Sequence, residues 1–195
     1  MAGHTQRPQR GFSLVEVLFA LVVLSVAVSG LAHLFTVAAY TNARARATTY
    51  AAVLAQQKME QLRGLAYGFD PSGVPVTDVD TDITVQPELP SGGAGLQPSP
   101  LGALAADTVG YVDYVDASGA TLGGVAAGPP PGTAYIRRWS VEPLPSSANT
   151  MVLQVLVMRA GPRDADDNRA DNRIVQGRRS AEQARLVSVK TRKAP

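Results

Sequence analysis

The stretch that decides the fold is GFSLVEVLFALVVL, residues 11–24, which opens a long apolar segment. From Val17 to Tyr40 the chain has no formal charge when His33 is neutral, and a helix of this length crosses the hydrocarbon core of a bilayer. Arg7 and Arg10 precede the segment, and basic residues tend to remain on the cytoplasmic side of a membrane. The sequence therefore predicts a single membrane span, with the bulk of the chain on the opposite side.

A cleaved secretory signal is the alternative, because it also combines a basic start with an apolar middle. Val37, Ala38 and Ala39 resemble the small residues at such a cleavage site, so this alternative predicts a secreted periplasmic binding protein or hydrolase. The length of the apolar segment favours an anchor, since the apolar part of a signal is shorter. Glu16 is unusual in either setting: the helix dipole favours a first-turn acid, but burying an unpaired carboxylate is costly.

The composition excludes several kinds of site. The chain has no cysteine, which excludes disulfides, zinc ribbons, iron–sulfur clusters and thiol nucleophiles. Its histidines are His4 and His33, so a folded region after residue 40 has no imidazole for a catalytic triad or a zinc hydrolase. We therefore expect no enzyme activity, no catalytic residue and no cofactor.

Charge is distributed unevenly along the chain. Residues 64–136 hold eight acids and no Lys or Arg, whereas residues 137–195 hold twelve bases and six acids. The formal net charge of +2 therefore conceals an acidic middle and a basic end. These two blocks can compensate each other within one subunit or between neighbouring subunits.

The segment after the anchor has the pattern of an amphipathic helix. Residues 31–63 contain neither Gly nor Pro, whereas residues 64–132 are rich in both. Apolar residues recur at spacings of 3, 4, 3 and 4, which predicts one helix face formed by Ala52, Ala55, Met59, Leu62 and Ala66. Joined to the anchor, this helix is predicted to run from about Phe12 to about Arg63 and to end near Gly64.

Four later segments predict β-strands: residues 109–115, 135–141, 151–158 and 184–191. The first precedes a turn at residues 116–119, the third is apolar enough for an interior strand, and the fourth ends the sheet. Trp139 is expected in the core. Together these elements predict an α+β fold in which an antiparallel sheet packs on the polar half of the long helix.

The segment from Gly11 to Leu24 resembles the class III signal of type IV prepilins and pseudopilins. The resemblance implies that prepilin peptidase cuts after Gly11 and methylates the new amino group of Phe12. Glu16 matches the glutamate at the fifth mature position of that family. The resemblance therefore implies that its carboxylate pairs with the N-terminal ammonium of a neighbouring subunit, a pairing favoured at low dielectric.

Residues 47–65 are similar to the amphipathic half-helix of minor pilins, and the strand segments from Tyr135 onward resemble the sheet of the PilV-type pilus modification proteins. The anchor lacks the helix-bending proline of many major pilins, and the chain lacks their paired cysteines. The resemblance therefore implies a minor pilin of a type IV pilus, with a minor pseudopilin of type II secretion as the alternative. The implied partners are prepilin peptidase, other pilins and minor pilins through their N-terminal helices, the inner-membrane assembly platform, and membrane lipid before assembly.

The resemblance also implies a location and an organisation. The protein is expected to cross the inner membrane once with its head in the periplasm, and then to enter a pilus or pseudopilus filament. The expected segments are a leader at 1–11, a transmembrane and assembly helix at 12–40, an amphipathic half-helix at 41–65, a Gly/Pro-rich acidic loop region at 66–108, and a β-sheet head at 109–195 with a mobile loop at 159–181.

Two other segments of the sequence are candidate binding sites. Asp164, Asp166 and Asn168 imitate the start of a calcium loop, but Arg169 replaces its turn glycine and Val175 its bidentate glutamate, so we expect no metal. The basic end could attract DNA, but its side chains alternate between the two faces of a predicted strand and form no single stripe, so we expect no DNA binding. The residues in question are Arg178, Arg179, Arg185, Lys190, Arg192 and Lys193.

Overall fold

The computed structural model describes residues 11–81, 93–122, 128–160 and 183–193. The leader before Gly11, the calcium-like segment 164–175, and nearly all of the predicted loop 159–181 lie outside these residues. The chain divides into two compact units, Met1–Ala43 and Arg44–Pro195.

One long helix, α1, runs from Leu14 to Gly64 over 51 residues. No proline interrupts it, because the chain has none between these two residues, and it ends at the glycine where the sequence predicted its end. In the first unit every described residue is exposed, including the large apolar side chains. The predicted long N-terminal helix is therefore confirmed.

In the second unit, one face of α1 is buried, and it is rotated relative to the predicted face. Ala55, Met59 and Leu62 are buried as predicted, but Ala52 and Ala66 are exposed. The buried face instead includes Ala47, Ala51, Leu54 and Lys58. The prediction was wrong at Ala52 because Lys58, a buried charge near the middle of the face, does not count in an apolar pattern, and wrong at Ala66 because α1 ends at Gly64.

In the described part of the chain, seven strands follow the helix: β1 (Tyr67–Phe69), β2 (Pro75–Thr77), β3 (Val112–Val115), β4 (Thr121–Leu122), β5 (Tyr135–Leu144), β6 (Ser147–Arg159) and β7 (Gln183–Thr191). β1 and β2 form a separate hairpin, and the other five form an antiparallel sheet in the order β4-β3-β5-β6-β7. The predicted α+β layout, a long helix packed on an antiparallel sheet, is confirmed, with β6 in the interior and β7 at an edge.

The structure adds elements that the sequence did not predict. The β1–β2 hairpin lies within the predicted loop region 66–108, and β4 has only two residues. β5 extends past Pro143 and pairs with β6 as far as Leu144 and Ser147, with a register shift between Pro143 and Leu144. A proline is compatible with a strand at such an irregularity, because the ladder is already interrupted there.

The core of the second unit lies between α1 and one face of the sheet. From β5 and β6 it receives Trp139, Val141, Leu153, Val155 and Val157, which are all fully buried. The prediction that Trp139 belongs to the core is therefore confirmed. Its indole packs against Tyr111, with the two ring centroids 6.3 Å apart in a tilted arrangement.

Candidate processing and assembly site

The predicted processing residues lie immediately before the first turn of α1. Gly11 and Phe12 precede the helix, and the carbonyl of Ser13 accepts hydrogen bonds from the amides of Glu16 at 3.0 Å and Val17 at 3.2 Å. Ser13 therefore occupies the N-cap position, where serine is strongly preferred. The spacing from Ser13 to Glu16 is that of a capping box, a helix-start signal that the sequence reasoning missed.

Glu16 lies in the first turn of α1 with an exposed side chain. Its carboxylate makes no hydrogen bond and no ion pair within the described residues. The first turn of a helix favours an anion, because its free amides carry partial positive charge. The carboxylate is thus held at the head of the apolar helix, where a cation from another molecule can reach it.

The side chains of the first unit are compatible with an apolar environment. Four hydroxyl groups donate to the carbonyl four residues earlier: Ser25 to Leu21 at 2.7 Å, Ser29 to Ser25 at 2.8 Å, Thr36 to Ala32 at 3.0 Å and Thr41 to Val37 at 3.0 Å. These bonds satisfy the hydroxyl protons within the helix, as lipid requires. Within the described residues, α1 is long and apolar enough to cross a membrane.

In the second unit, three charged side chains meet between the helix and the sheet; we call them the buried ion cluster. Lys58 Nζ lies 2.9 Å from Asp113 Oδ2, and Arg137 donates to the same oxygen from Nη2 at 2.8 Å and from Nε at 3.1 Å. The side chains are 3%, 4% and 7% exposed for Lys58, Asp113 and Arg137, respectively. The cluster therefore joins α1 to β3 and β5 through charges that are almost completely removed from water.

The buried ion cluster contains two cations and one anion, and neighbouring groups share the excess positive charge. Arg137 Nη1 donates to the carbonyl of Leu54 at 3.4 Å. Lys58 Nζ lies 3.8 Å from the centroid of the Trp139 ring, whose face is electron-rich. The arrangement positions the helix on the sheet, because Lys58 would lose its carboxylate partner if α1 moved along the sheet, whereas the pair of Arg137 and Asp113 lies within the sheet.

The sequence reasoning missed this cluster, although two signals for it were present. Lys58 lies seven residues after Ala51 and four before Leu62, on the same helix face as both. Asp113 interrupts a short run of apolar strand residues and is the direct register partner of Arg137. A charged residue inside an apolar periodic pattern indicates a buried partner, because such a charge is rarely buried alone.

The acidic middle and the basic end of the chain compensate each other within one subunit at two points. Arg137 pairs with Asp113, as described, and Arg138 pairs with Asp107 at 2.8 Å. Arg138 also donates to the carbonyl of Ala105 at 2.8 Å. Both pairs connect residues 64–136 with residues 137–195, so this part of the charge prediction is confirmed.

Two residues of the basic end bind the main chain of their own subunit. Lys190 Nζ donates to the carbonyls of Arg63 and Leu65, both at 2.6 Å, at the C-terminal end of α1. Arg192 Nη1 donates to the carbonyls of Gly68 at 2.8 Å and Val76 at 3.0 Å in the β1–β2 hairpin. Desolvation by burial lowers the pKa of Lys190.

Comparison with known protein families matches residues 6–32 to the prokaryotic N-terminal methylation motif. No curated protein and no solved structure gives a significant match to the chain. The matched segment includes Gly11, Phe12 and Glu16 and ends within the apolar part of α1. A membrane-anchored protein is consistent with both the motif and the helix. The motif supports a type IV pilin-like protein that is a substrate of prepilin peptidase.

Proposed function

We propose that this protein is a minor pilin of a type IV pilus system, which enters the filament or primes its assembly. In this proposal, prepilin peptidase cuts after Gly11 and methylates the amino group of Phe12. The observation that supports it is the exposed Glu16 carboxylate, which has no partner within the described residues and lies at the head of an apolar helix inside the methylation motif.

During assembly, the apolar part of α1 moves from lipid into a bundle of similar helices, and both surroundings exclude water. The apolar side chains of α1 therefore lose little when they leave lipid. The Glu16 carboxylate then pairs with the N-terminal ammonium of a neighbour, which stays cationic after methylation. At low dielectric such a pair fixes the axial register between subunits, because a shift leaves both charges unpaired.

The proposal also assigns a location and partners. Before assembly the protein crosses the inner membrane once, with its sheet-bearing head in the periplasm, and it contacts lipid, prepilin peptidase and the assembly platform. After assembly its N-terminal helix contacts other pilins and minor pilins. The role is structural rather than enzymatic. A minor pseudopilin of type II secretion would use the same N-terminal chemistry, and the methylation motif supports both.

The mature N-terminus tests the proposal directly. We expect mass spectrometry of the protein from membranes and sheared filaments to find N-methylphenylalanine at position 12. The control is Gly11→Val, which should block cleavage without disturbing the fold, because a Cβ at Gly11 would meet no atom within 4 Å. A mature chain that starts near Tyr40 would contradict the proposal and favour the secreted binding protein or hydrolase.

Pilus and pseudopilus are distinguished by where the processed protein accumulates. In cells that have both systems, a minor pilin should disappear from the sheared surface fraction when the pilus assembly ATPase is deleted. It should be unaffected when the secretion ATPase is deleted. The opposite dependence would assign the protein to type II secretion.

A further inference from the structure

The strand β7 forms an edge of the five-stranded sheet. It pairs with β6 without a register shift, from Thr191 opposite Thr150 to Gln183 opposite Met158. Within the described residues, the main chain of β7 hydrogen-bonds only to β6, and just after its end the amide of Lys193 donates to the carbonyl of Tyr67 in β1. Before that point the outer edge of β7 presents a row of amide and carbonyl groups, a template for a further strand.

β7 lacks three of the features that protect edge strands. Natural edges are kept from pairing by short length, proline, a bulge or charged side chains, including inward-pointing ones. β7 has nine residues, no proline and no bulge, whereas β4 at the opposite edge has only two residues. The inward-pointing charge of β7, Lys190, lies next to its last residue and is bound to the end of α1.

Apolar side chains are exposed beside this edge. Val187 and Val189 lie on one face of β7 and are 60% and 61% exposed. Leu186 lies on the opposite face and packs against the core. Val152 of β6, opposite Val189, is half-buried on the same face. An added strand with β-branched side chains would cover these valines, which supply cross-strand contacts of the usual kind.

The charge along β7 indicates the chemistry of the added strand. Residues 183–193 contain four bases and no acid. Within the described residues none of these bases forms an ion pair: Arg185 bonds to Gln154, and Lys190 and Arg192 bond to main-chain carbonyls. A strand with carboxylates would be attracted to this edge, whereas a basic strand would be repelled.

We propose that the outer edge of β7 is a docking site for an extended, acidic strand of a partner protein, which joins the sheet by main-chain hydrogen bonds. This mode of recognition takes its affinity from the backbone and its specificity from alternate side chains. The site lies in the second unit and does not depend on processing after Gly11. This proposal can therefore be tested independently of the proposed function.

Peptide binding to the full-length protein in detergent micelles tests the proposal. The probe is a fluorescent nine-residue peptide of alternating glutamate and valine, and the controls carry lysine in place of glutamate or proline at the centre. We expect the acidic peptide to bind at least about tenfold more tightly than either control. Hydrogen exchange should then slow at the amides of β7. Absence of binding, or protection confined to other segments, would overturn the proposal.

Two matched variants separate edge pairing from general attraction. Val187→Asp adds a negative charge beside the edge. Val109→Asp adds the same charge at a loop position that is 67% exposed and precedes β3, and two strands separate β3 from β7 in the sheet. We expect Val187→Asp to weaken peptide binding at least about tenfold and Val109→Asp to change it less than about twofold. Equal losses in the two variants would show that the peptide is held by overall charge and would overturn the proposal.

Discussion

Lys58 of α1 and Asp113 of β3 form an ion pair of 2.9 Å in which both side chains are almost completely buried. Arg137 shares the same carboxylate oxygen, so one anion holds two cations between the helix and the sheet. Removing Asp113 therefore has a different physical consequence from removing either cation. The first change leaves two buried charges unpaired, and the second leaves one complete pair.

We expect Asp113→Asn to lower the free energy of unfolding by about 3–5 kcal/mol, the usual cost of an uncompensated buried charge. Lys58→Met should cost less than half as much, because Arg137 still pairs with Asp113 and methionine keeps most of the volume. Denaturant titration followed by fluorescence can measure both changes, since Trp139 is the single tryptophan and lies beside Lys58. Equal losses in the two variants would contradict the assigned role of Asp113.

Lys190→Met should destabilise the protein by about 1 kcal/mol, because it removes the hydrogen bonds that Lys190 donates to the carbonyls of Arg63 and Leu65 at the C-terminal end of α1. The exposed neighbour Val189→Met is the matched control, and we expect it to be neutral within about 0.5 kcal/mol. Hydrogen exchange should show faster opening of the last turn of α1 in Lys190→Met only. Unchanged exchange there would mean that Lys190 does not cap the helix.

The lowered pKa of Lys190 predicts a pH effect with a definite sign. Burial lowers the pKa in the folded state below its ordinary value of 10.5, so the unfolded chain binds more protons than the folded one in that range. Stability contributed by this residue should therefore rise as pH increases from the folded pKa towards 10.5. The difference in unfolding free energy between wild type and Lys190→Met isolates this effect from other groups, and a difference that shrinks with rising pH would contradict it.

Gly95 should tolerate no side chain. It has a positive φ of 56°, and a Cβ there would lie 2.6 Å from the carbonyl oxygen of Asp78. Gly95→Ala should therefore cost at least about 3 kcal/mol, from backbone strain and displaced main chain together. Gly73→Ala is the control, since Gly73 also has a positive φ but no atom within 4 Å of such a Cβ, and should cost about 1 kcal/mol. Thermal unfolding of the two variants gives the comparison.

Glu16→Ala should leave cleavage after Gly11 intact but reduce the amount of protein in sheared filaments by at least about tenfold, because the neighbour's ammonium loses its counter-charge. Glu60→Ala removes another exposed glutamate from the same helix and should change incorporation little. Immunoblots of membrane and filament fractions measure incorporation, and mass spectrometry measures cleavage. Normal incorporation of Glu16→Ala would remove the charge pair from the proposed mechanism.

Much of the fold could be predicted because its signals are local. The absence of proline from residues 12–63 and the apolar period of 3 and 4 residues predicted α1, and runs of β-branched residues predicted four strands. The β1–β2 hairpin could not be predicted in the same way, because each strand has three residues and carries too short a pattern. The rotated helix face was missed because Lys58, a charged residue, lies near its middle.

Some residues of the candidate sites could be predicted from local sequence, and others could not. Gly11, Phe12 and Glu16 are close in sequence, so a motif reveals them, and residues 6–32 match such a motif. The partners of Lys58 lie on strands far along the chain. The local sequence around each of these residues does not identify its partner. Only the register that places Asp113 opposite Arg137 brings the three charges together.

The bond from Lys190 to the carbonyl of Arg63 joins residues that are 127 positions apart. During synthesis, the end of α1 therefore remains uncapped until the ribosome has made β7 and the exit tunnel has released it. Until then the last carbonyls of α1 can bond only to water. The head is thus completed after translation of β7, whatever the order in which its other strands form.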